Sequence, residues 1–185
     1  GASSNTYISV DYFRTQFTQQ MVVDYEHLAN AIDFYALDGN RSFTDNYQLD
    51  FSIDPVERFN ITVTCRYTNA MIELAGKGLV EKPMTSRFKG VLNLQYATNL
   101  NKWIFDFTAS LNGSCRVYDF MEQLNEDGTM TVNPVAGVER MYKNGRTPVY
   151  PLLYAQVTRR FKGWDVYAGV ENMTNFRQKD VILGY

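Results

Sequence analysis

The feature that most constrains this chain is an apolar–polar alternation, repeated in paired segments joined by very short connections. Over residues 43–53, Phe43, Tyr47, Leu49, Phe51 and Ile53 fall on one side of a two-residue period, and Thr44, Asn46, Gln48, Asp50 and Ser52 on the other. The turn Asp54-Pro55-Val56-Glu57-Arg58 follows. Residues 59–68 then repeat the pattern, with Phe59, Ile61, Val63, Cys65 and Tyr67 against Asn60, Thr62, Thr64, Arg66 and Thr68. A period of two is strand geometry, because successive side chains leave a sheet from opposite faces.

Two more pairs keep the beat. Strands are expected over 88–97 and 103–111, joined by Thr98-Asn99-Leu100-Asn101, and over 152–161 and 164–171, joined by Lys162-Gly163. A noisier first strand runs from Thr6 to about Phe17 and on through Met21-Val22-Val23. Residues 31–37 lead into Asp38-Gly39-Asn40, a hairpin-type turn signal, and 18–42 is expected to be a loop whose arms extend the flanking strands. The segments 69–86 and 112–149 are expected to be loops as well. The expected fold is therefore all-β: an antiparallel up-and-down meander of about seven strands, with turns at one end and long loops at the other. That is the wiring of an outer-membrane β-barrel segment, with short periplasmic turns and long extracellular loops, here one segment over 1–185.

Composition agrees with strands and excludes several classes. Thirteen Tyr and twelve Phe favour sheet over helix. A net charge of −2 without blocks of like charge speaks against a nucleic-acid partner. No run approaches the roughly 20 apolar residues of a membrane helix. The low mean hydropathy of −0.32 is compatible with a barrel, in which only every second residue meets lipid. The start Gly-Ala-Ser-Ser-Asn lacks a charged or apolar leader and reads as a processed or cloned beginning. Cys65 and Cys115 fall two strands apart in this order, too far for a bridge, and Cys65 is expected to act as a small hydrophobe.

The short turns are flanked by Ile53 and Phe59, Tyr96 and Trp103, and Phe161 and Trp164. Phe59, Tyr96, Trp103, Phe161 and Trp164 would thus stand at one level, as an aromatic girdle at a membrane–water interface. Asp50, Arg66, Lys89 and Asp106, with Arg159, Asp165 and Glu171, fall mainly on polar faces. They form either a charged lumen that guides a solute or a ladder of cross-strand pairs, and the two are compatible. No catalytic constellation is present, and no cofactor or metal site is expected. His27 is the single histidine and is read as a solvated loop residue. The seven methionines avoid the well-patterned strands, and soft-metal binding is the lesser reading beside flexible gap-filling. Asn40, Asn60, Asn112 and Asn172 head short sequons that arise by chance.

The run Trp164-Asp165-Val166-Tyr167-Ala168-Gly169-Val170-Glu171-Asn172-Met173-Thr174-Asn175-Phe176 resembles the penultimate-strand motif of TonB-dependent outer-membrane receptors, through Tyr167, Gly169, Glu171, Asn172 and Asn175. Tyr12–Phe17 and Glu81–Arg87 resemble other stretches of these receptors, especially those of Bacteroidetes. The resemblance implies a 22-stranded barrel with an N-terminal plug and an energy-coupling box, and this chain shows neither. It would be the C-terminal third of such a receptor, cut before its last strand and leaving two open sheet edges. The implied role is import of a scarce solute, such as a metal–siderophore, haem or a corrinoid, across the bacterial outer membrane. The partners implied are outer-membrane lipid, that small-molecule or metal-complex ligand, and the TonB energy-coupling system acting through the absent part. Ligand contact is expected in the long loops, with Arg116, Tyr118, Met121, Met130, Arg140 and Tyr142 as candidates. The alternative is a small soluble closed β-barrel that uses 31–37 as an eighth strand and binds an apolar ligand inside.

Overall fold

In the computed structural model, residues 5–119, 122–132 and 145–177 are described. Twelve strands run in chain order: β1 (Thr6–Gln16), β2 (Gln19–Asp24), β3 (Asp33–Asp38), β4 (Phe43–Val56), β5 (Phe59–Leu74), β6 (Gly78–Glu81), β7 (Phe88–Ala97), β8 (Trp103–Asn112), β9 (Glu122–Leu124), β10 (Met130–Val132), β11 (Tyr150–Phe161) and β12 (Trp164–Val170). Seven of them form one antiparallel meander in the order β1-β4-β5-β7-β8-β11-β12, with β6 added beside the end of β5. The sheet is open, with β1 and β12 at its edges.

Register carries each apolar row across the whole sheet. Ile8, Phe51, Val63, Leu92, Ala109 and Leu153 are successive partners on one face. The adjoining row is Ile53, Ile61, Leu94, Phe107, Ala155 and Val170. The opposite face reads Ser52, Thr62, Asn93 and Thr108 in one row, and Gln48, Arg66 and Lys89 in another. A one-residue slip anywhere would put a polar row among the apolar ones, so the alternation itself specifies the pairing.

The loops depart from expectation. The first strand stops at Gln16; Met21–Val23 belong to β2, which pairs with β3 in a separate two-stranded sheet. Residues 33–38 are therefore not an eighth strand of the main sheet, and the closed eight-stranded alternative loses its closing element. Asp38-Gly39-Asn40 does not fold β3 back onto β4. It returns the chain to the main sheet, with the Asn40 amide bonded to the Thr18 carbonyl and the Phe17 amide to that of Ser42. β5 runs on to Leu74 and folds onto β6, inside the segment expected to be a loop. A short hairpin, β9–β10, stands in the longest segment.

Among the described residues the buried apolar side chains are Val22, Ala70, Leu74 and Val117, all at the loop end. The sheet itself covers no core. Ile8 and Val10 are 62% and 75% exposed, and Leu49, Phe105 and Leu111 are exposed as well.

Candidate functional site

Two regions carry the chemistry: the two faces of the sheet, and the cap built by the loops.

On the apolar face, aromatic side chains gather at the turn end of the sheet. Phe59, Tyr96 and Phe105 are successive partners, Trp103 lies beside Phe105 with rings 6.5 Å apart, and Phe161 stacks on Trp164 at 4.3 Å. A second aromatic row at the loop end went unread in the sequence: Tyr12, Tyr47, Tyr67 and Phe88 are successive partners. The Tyr12 and Tyr47 rings stand 4.8 Å apart, those of Tyr47 and Tyr67 6.2 Å. Tyr67 and Phe59 are eight residues apart on β5, and Phe88 and Tyr96 eight apart on β7. At about 3.4 Å per residue that is about 27 Å along the strand. At the tilt of about 40° found in membrane barrels, that length would correspond to a height of about 21 Å, beside their ~25 Å apolar band. Between the belts this face is apolar along β4, β5 and β7, where Leu49, Phe51, Ile53 and Val63 are typical; Thr6 of β1 is a polar exception opposite Ile53.

On the polar face Asp50, Arg66, Lys89 and Asp106 stand where the alternation puts them. Asp50 accepts from Thr64 Oγ1 at 2.6 Å and Gln48 Nε2 at 2.7 Å, and Asp106 from Asn93 Nδ2 at 3.0 Å. Arg66 donates to Gln48 Oε1 at 2.8 Å. Asp50, Arg66 and Asp106 are thus held by neutral amides and hydroxyls. Arg66 and Lys89 face each other directly across β5 and β7, an unfavourable like-charge pairing that a solvated face tolerates. Arg159, grouped with these residues from the sequence, is instead on the apolar face, opposite Trp103.

The cap gathers three loops around a buried carboxylate. Glu26 is 1% exposed. Arg116 Nη1 and Nη2 donate to its two oxygens at 2.7 and 2.8 Å, the Asp119 amide donates at 2.7 Å, and Lys77 Nζ lies 3.7 Å away. Such a bidentate fork is the strongest side-chain ion pair available, and burial leaves Glu26 no alternative partner in water. Arg116 also reaches back through Nε to the Glu81 carbonyl at 2.7 Å. Glu81 in turn binds Arg146 by two bonds of 2.9 and 3.0 Å and Arg87 at 2.8 Å. The hydrogen bonds from Arg146 hold the Glu81 carboxyl below its ordinary range, and the same pair raises Arg146.

His27 is not simply solvated. Its Nδ1 is hydrogen-bonded to Asp33 and its Nε2 lies 3.6 Å from Glu122 of β9, so one ring ties the β2–β3 arm to the β9–β10 hairpin. The Asp33 hydrogen bond raises its pKa. Beside it Tyr35 donates to Asp24 Oδ2 at 2.8 Å, and burial first, with Asp24 adding, pushes the phenol up to about 12. Asp24, His27, Asp33, Tyr35, Ala75 and Gly76 line an open recess of about 340 Å³.

Of the loop candidates, Arg116 is committed to Glu26, Tyr118 lies against Tyr25 with rings 5.6 Å apart, and Met130 is exposed on β10. Met121, Arg140 and Tyr142 lie outside the described residues. The Glu171–Asn175 motif has a local physical role. Asn172 and Asn175 adopt left-handed φ of 50° and 49°, which asparagine tolerates better than most residues. The Asn172 side chain accepts from the Phe176 amide at 3.0 Å and donates to its carbonyl at 2.9 Å, turning the chain so that Phe176 stacks on Tyr150 at 4.2 Å.

No family model matches this chain, and no curated protein or solved structure matches it either.

Proposed function

We propose that this chain is part of the wall of an outer-membrane β-barrel, of the TonB-dependent receptor type that imports a scarce solute such as a metal–siderophore, haem or a corrinoid. One observation carries the membrane part. A continuous, half-exposed apolar band is bounded at both ends by aromatic rows eight residues apart along β5 and β7, and is backed by a hydrogen-bonded polar face; at a barrel tilt of about 40° those rows would stand about 21 Å apart in height. A water-soluble sheet has a packed core beneath its apolar face, whereas here the buried apolar side chains are in the cap. The receptor part rests on the Tyr167–Asn175 resemblance and on the division into a polar inner face and an ordered loop cap.

The test is genetic and compartmental. The gene product should fractionate with the outer membrane. Deleting residues 121–141 should abolish growth on one limiting solute among iron complexes, haem and corrinoid while the barrel still assembles. Recovery in the periplasm as a detergent-independent monomer would overturn the membrane reading. Undiminished uptake of every solute after the deletion would remove this loop as the binding element.

A further inference from the structure

From the Tyr12–Phe88 belt down to Trp164, Arg159 is the only charged side chain on the apolar face among the described residues. Its guanidinium carbon lies 4.7 Å from the Trp103 ring centroid and 5.3 Å from that of Phe161. Neighbouring Arg160, on the other face, reaches Asp165 at 3.4 Å, whereas Arg159 has no carboxylate within reach among the described residues. Its planar fork is therefore fixed by two aromatic rings, with its hydrogen-bond donors unspent. One residue row away, toward the middle of the sheet, an apolar groove of about 280 Å³ opens on the same face, with Phe59, Leu94, Tyr96, Phe105, Phe107 and Val157 among its walls.

We propose that Arg159 and this groove form a binding site for an anionic glycerophospholipid, with the headgroup phosphate on the guanidinium and an acyl chain along the groove. The inference rests on the membrane reading above and adds a ligand to it. A zwitterionic lipid brings its own ammonium to its phosphate, so a lone, unneutralised guanidinium favours a lipid of net negative charge. Free phosphate is the poorer match: this site offers one side chain and no cradle of backbone amides, and its larger part is apolar.

The chain's two tryptophans, Trp103 and Trp164, both stand in the belt around Arg159, which makes quenching by bromine-labelled lipid a direct readout. The protein is reconstituted in dioleoylphosphatidylcholine vesicles containing a minor fraction of brominated phosphatidylglycerol or brominated phosphatidylcholine, at fixed ionic strength. The wild type should prefer the brominated phosphatidylglycerol by roughly tenfold, the scale of one charge-assisted contact. Arg159→Gln should reduce the preference to parity, and Arg159→Lys, which keeps the charge without the fork, should retain part of it. Equal preference in wild type and Arg159→Gln would overturn the site while leaving the membrane reading intact. Abolition by inorganic phosphate would replace the lipid with a free anion. Absence of quenching by either brominated lipid would remove the membrane reading and the site together.

Discussion

A depth series of arginine substitutions tests the two aromatic belts most directly. Leu92 lies four residues from Phe88 of the loop-side belt and four from Tyr96 of the turn-side belt, so it stands at the middle of the band. At about 3.4 Å per residue and a tilt of about 40°, each belt is about 10 Å away in height. Phe107 lies two residues from Phe105 and so only about 5 Å in height from the turn-side belt. Arginine on the lipid face of a barrel costs about 2–4 kcal/mol at the midplane and about 0–1 near an interface. Leu92→Arg should therefore destabilise by about 3 kcal/mol, a factor of about 160 in the equilibrium constant, and Phe107→Arg by about 1–2 kcal/mol. Asn93→Arg, one residue on and facing the polar side, should cost close to nothing. The measurement is equilibrium denaturant unfolding from phosphatidylcholine vesicles. A packed, water-soluble core gives no such gradient, because burying an unpaired guanidinium is costly at either position. A cost at Phe107 equal to or above that at Leu92, or a cost at Asn93 matching Leu92, would refute the assignment of the belts to membrane boundaries.

Two further outcomes concern the cap. Glu26→Ala strands the Arg116 fork, while Lys77 keeps Asp119 at 3.2 Å; removal of one partner of a buried pair costs about 3–5 kcal/mol, and with Arg116 18% exposed the low end applies. Amide hydrogen exchange at Asp119 and Val117 should then accelerate at least a hundredfold while the β7–β8 amides keep their protection, and unchanged exchange at Asp119 would sink the idea of a clamp. His27 has a raised pKa in the folded chain, so its contribution is complete below the ordinary value of about 6.5 and is lost as pH rises through the folded value. The amides of Ala29 and Glu122, which bridge the two loops, should therefore exchange faster above that folded value, and a His27→Gln chain should show no such step. A step that persists in the variant would assign the titration elsewhere.

What the sequence disclosed follows from where local pattern is forced. Strands 43–53 and 59–68 were legible because each faces two unlike environments, and a period of two is the direct record of that. Arg159 was misplaced because Leu152, Leu153, Tyr154 and Ala155 are apolar or aromatic on both faces, so the phase of that strand has no local marker. The second aromatic belt depends on register: Tyr67 meets Phe88 across a long connection, and only the pairing shows that four rings share one level. The cap was illegible for a stronger reason. Arg116 and Glu26 are 90 residues apart, and the bonds that organise the loops join segments with no common periodicity. β2, β3 and β6 are four to six residues long, and that length leaves no alternation to count.

Cap and wall are stabilised by different physics, and this bears on how uptake would work. The wall draws on the backbone ladder and on a polar face where Asp50, Arg66 and Asp106 are held by amides and hydroxyls, with one ion pair, Arg160–Asp165, near the turns. Charges bound to neutral partners keep their field, whereas ion pairs cancel theirs. On β5 and β7 the cations Arg66 and Lys89 lie toward the cap, and Asp106 lies about six residues nearer the turns. On the uptake reading, a solute leaving the cap would meet Arg66 and Lys89, with Asp50 two residues below them, before it meets Asp106. The cap does the reverse: Glu26, Glu81, Arg116 and Arg146 neutralise one another in closed pairs that fix loops in place. On that reading, a cap tied by paired charges above a wall whose Arg66, Lys89 and Asp106 make no ion pair among the described residues separates the holding of loops from the attraction of solute. Selectivity by shape would then reside above the Tyr12–Phe88 belt, and selectivity by charge below it.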